Sequence, residues 1–233
     1  MMKNAPLQLM SNKEAVAMKI PAKPITVLLV DDHVVVRAGC RLVLEDTPDI
    51  RVVAEASDGE TGCACYKKHA PDVVLLDLNM PGIDGLETIR RIKAMNPQAR
   101  ILVFSMHNSE TIVRRALDAG ATGYLAKQCS TEMVEAVRKV AQGEAFVDAK
   151  HATQVTLQKL LASPEDPLCA LSAREFQIFR MLAEGHPVSE IAATITISPK
   201  TVGSHHTSIM KKLRLQNTTQ LTRLAIRCNV IEP

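Results

Sequence analysis

Apolar and polar positions along this chain follow two regimes. From residue 24 to 143, short apolar runs trade places with segments whose apolar residues recur every three or four positions. The runs at 25–30 (ITVLLV), 51–56, 72–77, 100–105 and 122–125 have the length of buried strands. The segments at 33–46, 59–69, 85–95, 109–119 and 130–142 carry helical spacing. Pro71, Pro81-Gly82, Asn96-Pro97 and Gly120 fall between them, where breaks are needed. Five strand–helix alternations with short joints predict an α/β domain with a parallel sheet covered on both faces.

After residue 143 the pattern loosens. A helix near 149–162 is expected, then SPEDP (163–167), whose two prolines and two acids read as a joint. The rest reads as short helices. Ser172-x-x-Glu175 is a capping box that opens a helix running to Glu184. Gly185 and Pro187 stop it. A short helix spans 188–194. Ser198-Pro199 supplies an N-cap and an N1 proline for a helix to about Leu213. Asn217-x-x-Gln220 opens a last helix to about Cys228. The short turn between the second and third helices is helix-turn-helix geometry. The expected division is 24–143, a joint at 144–168 and a second module at 169–233.

Charge sharpens this division. The chain carries a net +3, but residues 24–143 hold 14 basic and 16 acidic side chains, while 168–233 hold 8 and 4. A basic helical module behind an acidic body points to nucleic acid. The six cysteines form no C-x-x-C pair, so they read as reduced thiols of the cytoplasm. No apolar run approaches the ~18 residues of a membrane helix, and no membrane partner is expected. Residues 1–23 have no continuous apolar core, so a signal peptide is not expected; they read as a disordered tail, or as the product of an upstream start codon ahead of the domain proper.

The candidate chemistry lies at strand ends. Asp31-Asp32 ends the first apolar run and Asp77 ends the third. In an open α/β sheet these ends line the ligand crevice. Three carboxylates there repel one another unless a divalent cation joins them, and hard oxygen donors favour Mg²⁺. Such a pocket suits transfer of a phosphoryl group onto a carboxylate.

The motifs LLVDDH (28–33), LLDLNMPGIDG (75–85), VFSMH (103–107) and GYLAK (123–127) resemble those of a response-regulator receiver. LSAREFQI (171–178) and SPKTVGSHHTSIMKKL (198–213) resemble a LuxR-type helix-turn-helix. The chain is thus similar to two-component response regulators of the NarL/LuxR (NarL/FixJ) class. The resemblance implies a flavodoxin-like, doubly wound, five-stranded receiver and a small all-α DNA-binding domain. It implies Asp77 as phosphoacceptor from a cognate histidine kinase. It implies Mg²⁺ held by Asp31 (through water), Asp32, Asp77 and the carbonyl of Asn79. Lys127 would pair with a phosphoryl oxygen and Ser105 would donate its hydroxyl to another. Tyr124 stands at the switch-aromatic position and would turn inward. Gln128 replaces the proline that often follows the lysine. Each residue alone has a bland explanation, and His33 keeps its own as the residue that opens a helix.

On the recognition helix, Val202, Ile209 and Leu213 share a core face, and Lys200, Ser204, Thr207 and Lys211 share another that is expected in the major groove. By resemblance, Thr201 and His205 contact phosphates. Gly203 stands where a long polar residue is common, and it removes one base reader. Leu221, Leu224, Ala225 and Cys228 form a stripe that the resemblance assigns to homodimerisation on DNA, although packing within the module explains part of it.

The expected function is a DNA-binding regulator of transcription, not an enzyme. Its expected partners are the kinase, double-stranded promoter DNA, a second copy of the chain and RNA polymerase. A phosphatase or phosphotransferase of the haloacid-dehalogenase type needs D-x-D, and Asn79 stands where its acid/base would be. A receiver-containing adaptor or phosphotransfer protein that acts through protein partners without binding DNA is the alternative. The resemblance implies that the receiver covers the recognition helix until phosphorylation releases it.

Overall fold

The computed structural model describes residues 23–106, 109–148 and 167–231. The helix expected near 149–162, residues 163–166 of the joint, His107 and the tail at 1–22 lie outside the described residues. Ten elements alternate as expected: β1 (Ile25–Val30), α1 (Val34–Glu45), β2 (Ile50–Ala56), α2 (Gly59–His69), β3 (Val73–Leu76), α3 (Gly85–Met95), β4 (Ile101–Ser105), α4 (Glu110–Asp118), β5 (Gly123–Ala126) and α5 (Met133–Ala141). With a short further strand, β6 (Phe146–Val147), the sheet is parallel with order β2-β1-β3-β4-β5-β6. The chain reverses direction of winding between β1 and β3, and that switch point opens a crevice at their carboxyl ends. Val27 pairs with Val73 and Val30 with Leu76. This register sets the next residues, Asp31 and Asp77, beside each other, and the Asp77 N–H donates to Val30 O at 2.8 Å.

Alternation along the strands divides two cores. Val27, Leu29, Val73, Leu75, Leu102, Phe104 and Leu125 face α1 and α5. Leu28, Val30, Val74, Leu76, Ile101, Val103 and Tyr124 face α2, α3 and α4. Both faces are covered, so the strands read as unbroken apolar runs.

The sheet departs from expectation in two places. A sixth strand, β6 (Phe146–Val147), pairs parallel to β5, so the sheet continues past the boundary expected at 143. Asp148 follows it, wholly buried, and accepts the Ala126 N–H at 3.0 Å. The helix expected from 130 begins instead as a 3₁₀ turn over Lys127–Glu132, with Cys129 outside helical angles, and becomes α-helical at Met133. That tight turn follows directly from the lysine at the end of β5.

A 3₁₀ turn (Pro167–Ala170) leads into the second module: α6 (Ala173–Ala183), α7 (Val188–Thr194), α8 (Pro199–Lys212) and α9 (Thr218–Arg227). The capping box of Ser172 and Glu175 is present, and Ser198 and Asn217 cap α8 and α9 through their side chains. Phe176, Phe179, Ile191, Val202, Ile209, Leu221 and Leu224 form the module core. No helix among the described residues is long and apolar enough to cross a membrane.

Candidate acidic site and nucleic-acid interface

Asp31, Asp32 and Asp77 converge as the strand ends require. Ligand atoms of these three residues and of His33 all lie within 4.8 Å of one another. Asp31 and Asp77 are buried, Asp32 is half-buried and His33 is exposed. His33 Nδ1 lies 2.9 Å from Asp32 Oδ1 and 3.3 Å from Asp31 Oδ1. Lys127 reaches in from the end of β5, with Nζ at 2.7 Å from Asp31 Oδ2 and 3.0 Å from Asp77 Oδ2. Asp77 Oδ1 accepts the Leu78 N–H at 2.7 Å. Burial pushes the Asp77 carboxyl above its ordinary range, against the pull of Lys127. Burial works against the charged ammonium of Lys127, but the carboxylates of Asp77 and Asp31 outweigh it and hold it above its usual value. Three carboxylates beside one long-stemmed ammonium form a hard-oxygen donor set, which fits a Mg²⁺-sized ion.

The loop after β3 is shaped for close packing. Gly82 sits at φ +78°, the left-handed region. A Cβ on Gly85 would meet the Asp77 carbonyl at 2.5 Å, so only glycine lets α3 start this close to the acidic strand end. Asp84 caps α3 by accepting the Glu87 N–H at 2.8 Å.

Sequence reasoning missed the residues that brace the acidic turn. Arg37 Nη1 donates to the Asp31 carbonyl at 2.5 Å, and Glu55 holds the same guanidinium at 3.1 Å. An arginine on the first turn of α1, facing an acid on β2, was the available signal.

Ser105 and Tyr124 lie on adjacent strands, and both are fully buried. Their side chains share a hydrogen bond, while burial raises the Tyr124 phenol above its ordinary range. The expected inward turn of Tyr124 therefore has no room to occur from this conformation: the ring is already inside.

On α8, Lys200, Thr201, Ser204, Thr207 and Lys211 are exposed, Gly203 and His205 are half-buried, and Val202 and Ile209 are buried. Ser204 Oγ donates back to Lys200 O at 3.1 Å and Thr207 Oγ1 to Gly203 O at 3.0 Å. Glu175 fixes this helix from below, accepting from Ser208 Oγ at 2.7 Å and Lys212 Nζ at 2.6 Å. On α9, Leu221, Leu224 and Ala225 are buried in the module core and Cys228 is half-buried. The apolar stripe is thus consumed inside this chain.

Among the described residues the two modules touch, but not across the exposed face of α8. Gly82 N–H donates to Thr194 O at 3.0 Å, and Gly82 O accepts from Arg174 Nη1 at 3.2 Å and Gln177 Nε2 at 3.4 Å. Arg180 Nη1 donates to Asn79 Oδ1. Arg115 of α4 donates to Leu171 O at 2.6 Å, with its guanidinium 4.1 Å above the Phe176 ring. Ser109 Oγ donates to Cys228 O at 3.0 Å. The receiver grips α6 and the end of α9, so the expected cover over the DNA-facing side of α8 is absent among the described residues. No sequence pattern announced these contacts, because each joins residues far apart along the chain.

Residues 27–138 match the family described as response regulator receiver domain, and residues 169–225 match bacterial regulatory proteins of the luxR family. The chain is 41% identical over 210 residues to the response regulator UvrY of Escherichia coli K12, covering 88% of this chain and 96% of UvrY. It is 36% identical over 210 residues to the response regulator GacA of Pseudomonas aeruginosa, covering 89% of this chain and 98% of GacA. Among solved structures it is similar to RcsB from Salmonella enterica serovar Typhimurium bound to promoter rprA in the presence of the phosphomimetic BeF₃⁻. That likeness has a TM-score of 0.64 at 29% identity, over 87% of this chain and 98% of RcsB.

Proposed function

Since this chain belongs to the NarL/LuxR-type (NarL/FixJ) family of two-component response regulators, we propose that its DNA-binding activity is set by a phosphoryl group received on Asp77. The chain is a DNA-binding response regulator that acts on transcription. The observation that carries the reading of Asp77 is the convergence of Asp31, Asp32, Asp77 and Lys127 at three strand ends, with the three carboxylates within 4.8 Å of one another and Lys127 hydrogen-bonded to Asp31 and Asp77. Asp77 Oδ2, the oxygen nearest Lys127, faces this cluster of charges.

In the proposed step a carboxylate oxygen of Asp77 attacks the phosphorus of a phosphohistidine on the partner kinase. A P–O bond forms, the P–N bond breaks, and the released imidazole takes up a proton. Asp31 (through water), Asp32, Asp77 and the Asn79 carbonyl would hold Mg²⁺, which offsets charge on the carboxylate and the transferring group. Lys127 moves from bridging Asp31 and Asp77 to pairing with a phosphoryl oxygen as a point charge. Ser105 leaves Tyr124 and donates to the phosphoryl group. Tyr124 then loses a partner rather than gaining a pocket, and this is how the event is registered at β5.

The exposed face of α8 reads promoter DNA. Ser204 and Thr207 exchange their backbone partners for base edges, Lys200 and Lys211 contact phosphates, and Thr201 and His205 fix the register on the backbone. RcsB has been captured on promoters, which supports double-stranded promoter DNA as the partner. The working form is a homodimer on two half-sites, located in the cytoplasm and acting through RNA polymerase. With Leu221, Leu224 and Ala225 buried and Cys228 held by the receiver, a second copy meets α9 at its exposed outer side.

The test is intact-mass measurement after incubation with a small acyl-phosphate donor and Mg²⁺. The wild type gains one phosphoryl group and Asp77→Ala gains none. A full gain by Asp77→Ala removes the residue from this role.

A further inference from the structure

Part of the contact between the modules falls on the loop that follows Asp77, and among the described residues the DNA-binding candidate helix α8 is left open. Asn79, two residues beyond Asp77, has its side-chain oxygen held by Arg180 of α6. Three residues further on, Gly82 is held by its N–H to Thr194 and by its carbonyl to Arg174 and Gln177. Arg174 is itself fixed by Ile195 O at 2.5 Å and Gln177 Oε1 at 2.7 Å. Arg180 is steered from its own helix by Glu184 at 3.6 Å, and its charge also acts on the buried carboxyl of Asp84 at the start of α3. One face of α6 therefore grips the loop at both ends. The loop belongs to the receiver, and the grip belongs to the DNA-binding module.

We propose that Arg180 is a positioning residue for the phosphoryl-acceptor site, holding the β3–α3 loop, through Asn79, in a form that resists metal loading and phosphorylation. This deepens the reading of Asp77 and rests on it. The Asn79 carbonyl must settle on the metal and the loop must admit a phosphoryl group. Both movements work against bonds fixed in the other module. Coupling between two sites is reciprocal in free energy. Whatever factor the docked module subtracts from metal affinity, the loaded site subtracts from docking. Release then frees α6 and the end of α9 rather than uncovering α8, whose DNA-facing residues are already exposed.

The full chain is compared as wild type, Arg180→Ala, Arg180→Lys, Asn79→Ala and the Arg180→Ala/Asn79→Ala double variant. The Asn79 backbone carbonyl survives in all of them. Calorimetric titration gives the Mg²⁺ affinity, and intact mass against time gives the phosphorylation rate from acetyl phosphate. Each alanine variant is expected to bind Mg²⁺ about fivefold tighter and gain the phosphoryl group about fivefold faster, the lower end of usual coupling. The double variant is expected to gain no more than either single one, because both remove the same bond. Arg180→Lys, a point charge on a flexible stem without the planar fork, is expected to fall between. A merely structural role would lower the melting temperature and leave Mg²⁺ affinity unchanged. Unchanged or weaker Mg²⁺ binding and an unchanged rate overturn the proposal, as does an additive double variant. Loss of the phosphoryl gain in Asp77→Ala, measured alongside, keeps the underlying reading separate. If Asp77→Ala is phosphorylated at the wild-type rate, that reading fails first, whatever Arg180 does.

Discussion

The ammonium of Lys127 stands 3.0 Å from the carboxylate of Asp77 and 2.7 Å from that of Asp31, tying the end of β5 to the ends of β1 and β3. Both carboxylates and the lysine are largely buried. Removing one partner from such a set leaves the others uncompensated, at a cost of roughly 3 kcal/mol. Lys127→Ala is therefore expected to melt earlier than wild type at neutral pH. Mg²⁺ should restore more stability to the variant than it adds to the wild type, because the ion takes over the missing charge. Thermal melting with and without Mg²⁺ checks this. The variant should still accept a phosphoryl group but transmit it poorly to DNA binding.

Much of this site was legible in the sequence. VVLL (73–76) ending in Asp77, and ITVLLV (25–30) ending in Asp31-Asp32, carry strand length and acid together, and parallel pairing forces those ends into one crevice. β6 was not legible because two residues, Phe146 and Val147, give no period to read. The stripe of Leu221, Leu224 and Ala225 has the same spacing for an internal core as for a partner, and only packing decides for the core. The grip of Arg180 on Asn79 joins positions about a hundred residues apart, and an arginine within an amphipathic helix looks the same whether it meets water or a loop.

Glu175 makes the second module acid-sensitive. Burial alone would push its carboxyl up, but Lys212, Ser172 and Ser208 together bring it down to about 2 from an ordinary 4.5. A depressed carboxyl stabilises the fold above its unfolded value. That stability is lost as pH falls from about 4.5 toward 2. Glu175→Gln should remove up to roughly 3 kcal/mol at neutral pH and flatten the stability profile between those limits. Melting curves of the full chain against pH read this directly.

Gly203 costs α8 stability. A Cβ placed there meets nothing within 4 Å. Gly203→Ala should raise stability by about 1 kcal/mol, the usual difference inside a helix. If Gly203 serves only as a gap in the reading face, DNA affinity stays level while the melting temperature rises. A drop in affinity with a higher melting temperature shows that DNA backbone approaches at that position.

Lys200 and Lys211 are exposed at opposite ends of α8. Replacing either should lower the slope of log affinity against log salt by about 0.9 for each phosphate no longer neutralised, whatever the DNA sequence. Ser204→Ala or Thr207→Ala should leave the slope and change which sequences bind. Binding titrations at several salt concentrations, on preferred and scrambled DNA, separate the two effects.

The central claim is that a phosphoryl group on Asp77 controls DNA binding by the same chain. The most direct measurement is the promoter-DNA affinity of the full chain, wild type and Asp77→Ala, with and without acetyl phosphate and Mg²⁺ at fixed salt. The expected result is that wild type gains affinity together with one phosphoryl group by mass, while Asp77→Ala gains neither. Equal gains in affinity by both proteins, or a phosphorylated wild type that binds DNA no better, would contradict the account.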